Sequence, residues 1–173
     1  SVDSGVGQGF SVETLQRNHV LIIRSLKTAT AGGSGLFARK DGVYSTLIPY
    51  ADGQYIYEKL KEYGKAYFIK SANTQREIWV TDGTVQGTRK IDDAPRNVYR
   101  MQKTLAGVMA ISTDSDRPML YRVSDTGLTN IPITLNGATW SDYCAGDYCS
   151  LHPLDTSILI FGKTKVGKLT ISF

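Results

Sequence analysis

One short strand pattern returns four times along this chain. Val20-Leu21-Ile22-Ile23-Arg24-Ser25, Ala66-Tyr67-Phe68-Ile69-Lys70-Ser71, Gly107-Val108-Met109-Ala110-Ile111-Ser112 and Ile158-Leu159-Ile160-Phe161-Gly162-Lys163 align without gaps. Their last residues, Ser25, Ser71, Ser112 and Lys163, lie 46, 41 and 51 residues apart. Such spacing suits a four-stranded propeller blade, which occupies ~40 to 50 residues. The repeat makes the architecture legible and leaves the activity mostly unwritten, because repeat folds present binding surfaces whose chemistry need not reside in a local motif.

Each aligned strand follows a turn, at Asn18-His19, Tyr63-Gly64, Ala106-Gly107 and Asp155-Thr156, so an earlier strand closes a hairpin with it. Downstream, Phe37 to Lys40, Ile78 to Thr81 and Leu120 to Val123 form a matching set that runs into Asp41-Gly42, Asp82-Gly83 and Asp125-Thr126-Gly127. Glycine permits the positive φ that tight hairpin turns demand. Val43 to Ile48, Thr88 to Ile91 and Leu128 to Ile133 follow, rich in β-branched residues as strands are. The expectation is an all-β, propeller-like fold of about four blades, each of three to four antiparallel strands. Residues 1–9 read as a flexible leader and 10–173 as one domain, with repeats at about 10–50, 51–93, 94–135 and 136–173.

Two local features pull against that pattern. Ile56, Leu60 and Tyr63 are spaced i, i+4, i+7 and also fit a helix; the repeat decides for strand. The fourth repeat offers Leu151 to Thr156, Ile158 to Gly162 and Lys168 to Phe173, then stops one strand short. Either Phe10 to Leu15 supplies the closing strand, or the chain is an arc of a larger propeller, or the last blade keeps an open edge for a partner's strand.

One repeat carries a recognisable string. Glu77-Ile78-Trp79-Val80-Thr81-Asp82-Gly83-Thr84-Val85-Gln86-Gly87-Thr88-Arg89-Lys90-Ile91 resembles the ELWxTDGTxxGTxLV repeat of large bacterial surface and secreted proteins, and the preceding residues 60–68 look like the hairpin found before it there. The first and third repeats keep the layout but lack the Trp and the Thr-Asp-Gly-Thr string. The resemblance implies a propeller-like fold and an extracytoplasmic bacterial setting, and no reaction. Asp82 and the flanking threonines suit hydrogen bonds to turn backbone, and Gly83 suits the turn conformation. Ile78 and Val80 belong to one sheet face and Trp79 to the other. Two readings of Trp79 stand: a residue packed between sheets, or a platform for stacking a ligand.

No apolar run approaches the ~20 residues of a membrane-crossing helix. A lipid anchor in a precursor is compatible with the leader, and nothing in the residues tests it. The net charge of +4 is spread along the chain; its densest run, Lys163, Lys165 and Lys168, suits a solvated hairpin turn, so no nucleic acid is expected as a partner. Cys144 and Cys149 sit close together in the insertion that widens the third interval. A disulfide there stabilises a small loop by only ~2 kcal/mol and belongs outside the cytosol. The competing use, zinc held by Cys144, Cys149 and His152 with Asp147 or a water as fourth ligand, lacks the second ligand pair of the usual closed four-ligand site; no metal and no cofactor is expected.

Catalytic groupings are scarce. His19 and His152 are the only histidines, and the aspartates 114, 116, 125, 142 and 147 are ordinary turn residues unless paired at glycosidase spacing. Gly32-Gly33-Ser34-Gly35 lacks the lysine-serine ending of a phosphate loop. The functional expectation is a non-catalytic binding or assembly module of the bacterial envelope or secreted fraction, engaging a protein partner through the open last blade or the cysteine insertion. Trp140, Tyr143 and Tyr148 cluster in that insertion and, with Trp79, are the candidate contact residues. A glycan-binding lectin is the alternative, and a propeller glycosidase a further one.

Overall fold

The computed structural model describes residues 7–27, 31–91, 97–112, 119–131, 150–154, 157–161 and 166–170. Every regular element among them is a strand. β1 (Gly7–Gln16), β2 (His19–Lys27), β3 (Gly32–Lys40) and β4 (Val43–Asp52) form the first sheet. β5 (Tyr55–Glu62), β6 (Lys65–Ala72), β7 (Gln75–Thr81) and β8 (Arg89–Lys90) form the second. β9 (Val98–Thr104), β10 (Gly107–Ser112), β11 (Met119–Ser124) and β12 (Gly127–Ile131) make the third, and β13 (Ser150–Leu154), β14 (Ser157–Phe161) and β15 (Val166–Thr170) the fourth. All four are antiparallel, and in each the strands neighbour one another in chain order. The fold is therefore all-β, with three four-stranded sheets and a three-stranded one among the described residues. Phe10 to Leu15 lie within β1, at the edge of the first sheet, paired to β2.

Chain contacts divide the molecule into two compact units, Ser1–Ile91 with the first two sheets and Asp92–Phe173 with the other two. In the first unit, the hairpin turns have the chemistry their twist requires. Asp41-Gly42 has φ of +48° and +88°, Tyr63-Gly64 +47° and +75°, and Asn73-Thr74 +49° and +68°. Two successive positive φ values define the type I′ turn, whose twist matches that of the flanking strands.

β5 resolves the ambiguity between helix and strand. Tyr57 pairs with Ile69 and Leu60 with Tyr67, so three steps on β5 face two on β6. The extra residue is a bulge, with Glu58 at φ +49°. It reverses the parity of the strand, placing Ile56 and Leu60 on opposite faces, while Tyr63 stands exposed in the following turn. The helix-like spacing is a bulged strand.

The core of this unit fills the space between the two sheets. Leu21 and Ile23 of β2, Leu36 and Ala38 of β3, and Leu47 and Ile48 of β4 pack against Ile56, Ala66 and Phe68, with Leu15 and Trp79 at the margin. Alternation sends Leu21 and Ile23, Leu36 and Ala38, and Ala66 and Phe68 to one face, and the register shift between Leu36 and Phe37 lets the adjacent Leu47 and Ile48 both join it. Phe68 is only 1% exposed, and burying a side chain of that size stabilises the sheet pair by about 2 to 3 kcal/mol. In the second unit, Val98, Met101, Val108, Met109, Ala110, Ile111, Leu120 and Val123 are buried.

Candidate functional site: the open face of the first sheet

The face of the first sheet turned away from this core is built in register. Thr14, Val20, Arg39 and Tyr44 form one row across β1 to β4, and Val12, Ile22, Phe37 and Thr46 the next. Phe10, Arg24 and Gly35 form a third across β1 to β3. Val20, Ile22 and Phe37 are apolar at the centre of these rows, and on the edge strands Val12 is 61% and Tyr44 67% exposed. A groove of about 380 Å³ lies here, lined by Val12, Ile22, Arg24, Phe37 and Tyr44. Another of about 430 Å³, lined by Asn18, Val20, Arg39, Asp41 and Gly42, lies toward the turn end of the same strands. The Arg39 guanidinium stands 5.6 Å from the centre of the Tyr44 ring, a cation–π contact that holds both at the rim.

The repeat shows what is unusual about this face. In β6 the run Ala66, Tyr67, Phe68 and Ile69 is buried on both faces, and in β10 so is Val108 to Ala110, with the aligned Gly107 part-buried. Their counterpart Val20 to Ile23 in β2 is buried at Leu21 and Ile23 only. A continuous apolar run is the signature of a strand covered on both sides. On the first sheet, Val20 and Ile22 are part-buried and Val12 is exposed.

The Thr-Asp-Gly-Thr string forms the loop between β7 and β8, and its parts hold one another. The Gly83 N–H donates to Thr81 Oγ1 at 2.9 Å, and the Thr84 N–H and Oγ1–H donate to Asp82 Oδ1 at 2.8 and 2.7 Å. The Gly87 N–H donates to Thr84 Oγ1 at 2.9 Å, the Thr88 hydroxyl to the Thr84 carbonyl at 2.6 Å, and Thr81 and Thr88 share a 2.7 Å hydroxyl contact. Both glycines are sterically required. A Cβ on Gly87 would lie 2.0 Å from Asp82 Oδ1, and one on Gly83 would lie 2.1 Å from Nε2 of the buried His19. His19 Nε2 in turn lies 3.3 Å from the Gly83 carbonyl, tying β2 to this loop. Partial burial opposes ionisation of Asp82, but the Thr84 hydrogen bonds outweigh it and hold its pKa below the ordinary value. The loop's polar groups are spent on its own backbone.

Trp79 sits in β7 against the core, its ring stacked on Phe68 with centroids 6.4 Å apart. Lys70 Nζ lies 5.0 Å from the ring centre, and Trp79 Nε1–H donates to Glu77 Oε2 at 3.1 Å. Glu77 also binds Lys90 at 2.9 Å. Burial raises the Glu77 pKa, and the Lys90 and Trp79 hydrogen bonds more than reverse this, leaving it lowered.

Trp140, Tyr143, Tyr148, Cys144 and Cys149 lie outside the described residues, as do Asp114, Asp116, Asp142 and Asp147. Asp125 is in the turn between β11 and β12. Among the described residues, no three or more of His, Cys, Asp and Glu gather as a metal site would require, and no helix is long and apolar enough to cross a membrane. The surface that sequence reasoning missed is the one formed by Val12, Ile22, Phe37 and Tyr44. The signal for it was present: Val20 to Ile23 is apolar at every position. The chain matches no protein-family model and no curated protein.

Proposed function

We propose that the chain is a propeller-like, non-catalytic binding or assembly module of the bacterial envelope or secreted fraction, and that it engages a protein partner through the open face of the first sheet. The observation that supports this is the mismatch within the repeat: Val20 and Ile22 sit in a strand written for burial on both sides, beside Val12 at 61% exposure. An apolar face of this kind marks a surface that another polypeptide covers. The loop of residues 82–88 is internally satisfied, and Trp79 is engaged by Phe68, Lys70 and Glu77, so neither competes with this face as a contact surface.

The test places a photo-crosslinking amino acid at Val12 and, as a control, at Leu105, which is more exposed but lies in a turn of the third sheet. A discrete protein adduct from position 12 in envelope or secreted extract, absent from position 105, is the expected result. Identical adducts from both positions, or none from position 12, would remove this reading. Binding to a glycan array that disappears in Tyr44→Ala would replace it with the lectin alternative.

A further inference from the structure

Three Asp-Gly pairs occur in the sequence, Asp41-Gly42, Asp52-Gly53 and Asp82-Gly83, and all three lie in the first unit. We infer that Asp41-Gly42 is a modification site at which the folded chain isomerises its own aspartate to isoaspartate, and that the fold blocks the same reaction at Asp52 and Asp82.

The reaction needs only the dipeptide and water. The glycine nitrogen attacks Cγ of the preceding aspartic acid; a C–N bond forms, and the N–H proton and the carboxyl hydroxyl leave together as water, closing a succinimide ring. Water then opens the ring. Addition at the side-chain carbonyl restores aspartate, whereas addition at the main-chain carbonyl leaves the backbone running through Cγ, so the lost water is regained and the mass is unchanged. Glycine hinders the attack least because it carries no side chain. Two groups must be available, the glycine N–H and the aspartate carboxyl.

Space and backbone angle do not separate the first two sites. A Cβ on Gly42 or on Gly53 would meet nothing within 4 Å, and their φ values are +88° and +72°. Hydrogen bonding does separate them. The Gly53 N–H donates to the Gly32 carbonyl at 2.8 Å, and Asp52 Oδ1 accepts from the Tyr50 hydroxyl at 2.6 Å. At the third site, the Gly83 N–H donates to Thr81 Oγ1 at 2.9 Å, and Asp82 Oδ1 accepts from the Thr84 N–H and hydroxyl at 2.8 and 2.7 Å. The Asp82 carboxyl is also held below its ordinary pKa, and its ionised form has no hydroxyl to lose. At the Asp41-Gly42 turn, the bond that anchors the loop runs from the Asp41 N–H to the Asn18 carbonyl at 3.1 Å, which involves neither reacting group. Among the described residues the Gly42 N–H and the Asp41 carboxylate have no hydrogen-bond partner. The methylene that isoaspartate adds to the backbone falls between Lys40 and Val43, the pair that closes the β3–β4 hairpin.

The experiment ages the purified full chain at neutral pH and body temperature for weeks, in native buffer and in urea, and maps isoaspartate by proteolysis and fragmentation mass spectrometry. Asn136-Gly137, outside the described residues, closes the same ring by losing ammonia, and its mass change tells it apart. Each hydrogen bond that must break slows closure roughly fivefold, so native isomerisation at Asp52 should trail Asp41 by about 25-fold and Asp82 by about 125-fold. In urea the three sites should react at similar rates. Tyr50→Phe, which removes one partner of Asp52, should speed reaction there roughly fivefold in the native chain and leave Asp41 unchanged. Equal native rates at the three sites, faster reaction at Asp52 or Asp82 than at Asp41, or an Asp41 that isomerises in urea and not in native buffer would overturn the inference. A Tyr50→Phe chain with no change at Asp52 would overturn the hydrogen-bond account of its protection.

Discussion

Gly83 and Gly42 offer a controlled comparison of what glycine contributes in this fold. Their φ values are +87° and +88°, so alanine suffers the same backbone penalty at each, about 1 to 2 kcal/mol. Their surroundings differ completely. A Cβ on Gly42 meets nothing within 4 Å, whereas one on Gly83 falls 2.1 to 2.2 Å from Nε2 and Cε1 of His19. His19 is 5% exposed and has no room to retreat without losing its 3.3 Å contact with the Gly83 carbonyl. Overpacking a buried site typically costs a further 1 to 3 kcal/mol. Gly83→Ala should therefore be about 2 kcal/mol worse than Gly42→Ala, which in urea separates the midpoints by roughly 1 M. The assay is urea unfolding followed by circular dichroism, and the refinement is a cycle with His19→Ala. If the clash is the cause, combining His19→Ala with Gly83→Ala should cost about 1 to 2 kcal/mol less than the two single changes predict. Equal midpoints for Gly83→Ala and Gly42→Ala would refute the packing of His19 against this loop.

Three further outcomes follow from the same geometry. Thr81→Val, at a buried position, leaves the Gly83 N–H without its acceptor and should cost about 1 to 3 kcal/mol, while Thr46→Val on the exposed face should be near neutral in thermal unfolding. The Asp82 carboxyl has a folded pKa below its unfolded value, so its stabilisation is fully present above the unfolded pKa of about 3.9 and disappears as pH falls through the folded value. Asp82→Asn should flatten the acid limb of a stability–pH curve in that window; an unchanged limb would contradict the assignment. Phe68→Ala should destabilise by about 3 to 5 kcal/mol by opening the space between the first two sheets, whereas Phe37→Ala, at a part-buried position, should cost markedly less in the same thermal unfolding measurement.

The four sheets were legible because their signals are local. Apolar runs, β-branched strands and the Asp-Gly and Tyr-Gly turns declare themselves within a few residues, and the shorter fourth repeat is three-stranded among the described residues. β5 was legible only through the repeat, since a bulge at Glu58 shifts parity by one residue and imitates a helical period. The Thr-Asp-Gly-Thr string announced a turn stabilised by its own side chains, which the loop displays. It did not announce that Gly83 is shaped by His19, 64 residues away.

What the sequence determined by itself is the set of strands and turns, because backbone preference and side-chain alternation act over two to four residues. Which faces are covered was decided only by tertiary structure. Ile22 and Phe68 occupy equivalent places in equivalent strands, and nothing local distinguishes them; one is sealed against a neighbouring sheet and the other lines an open groove. Burial is a property of what lies opposite a residue, and that neighbour is contributed by a distant part of the chain or by another molecule.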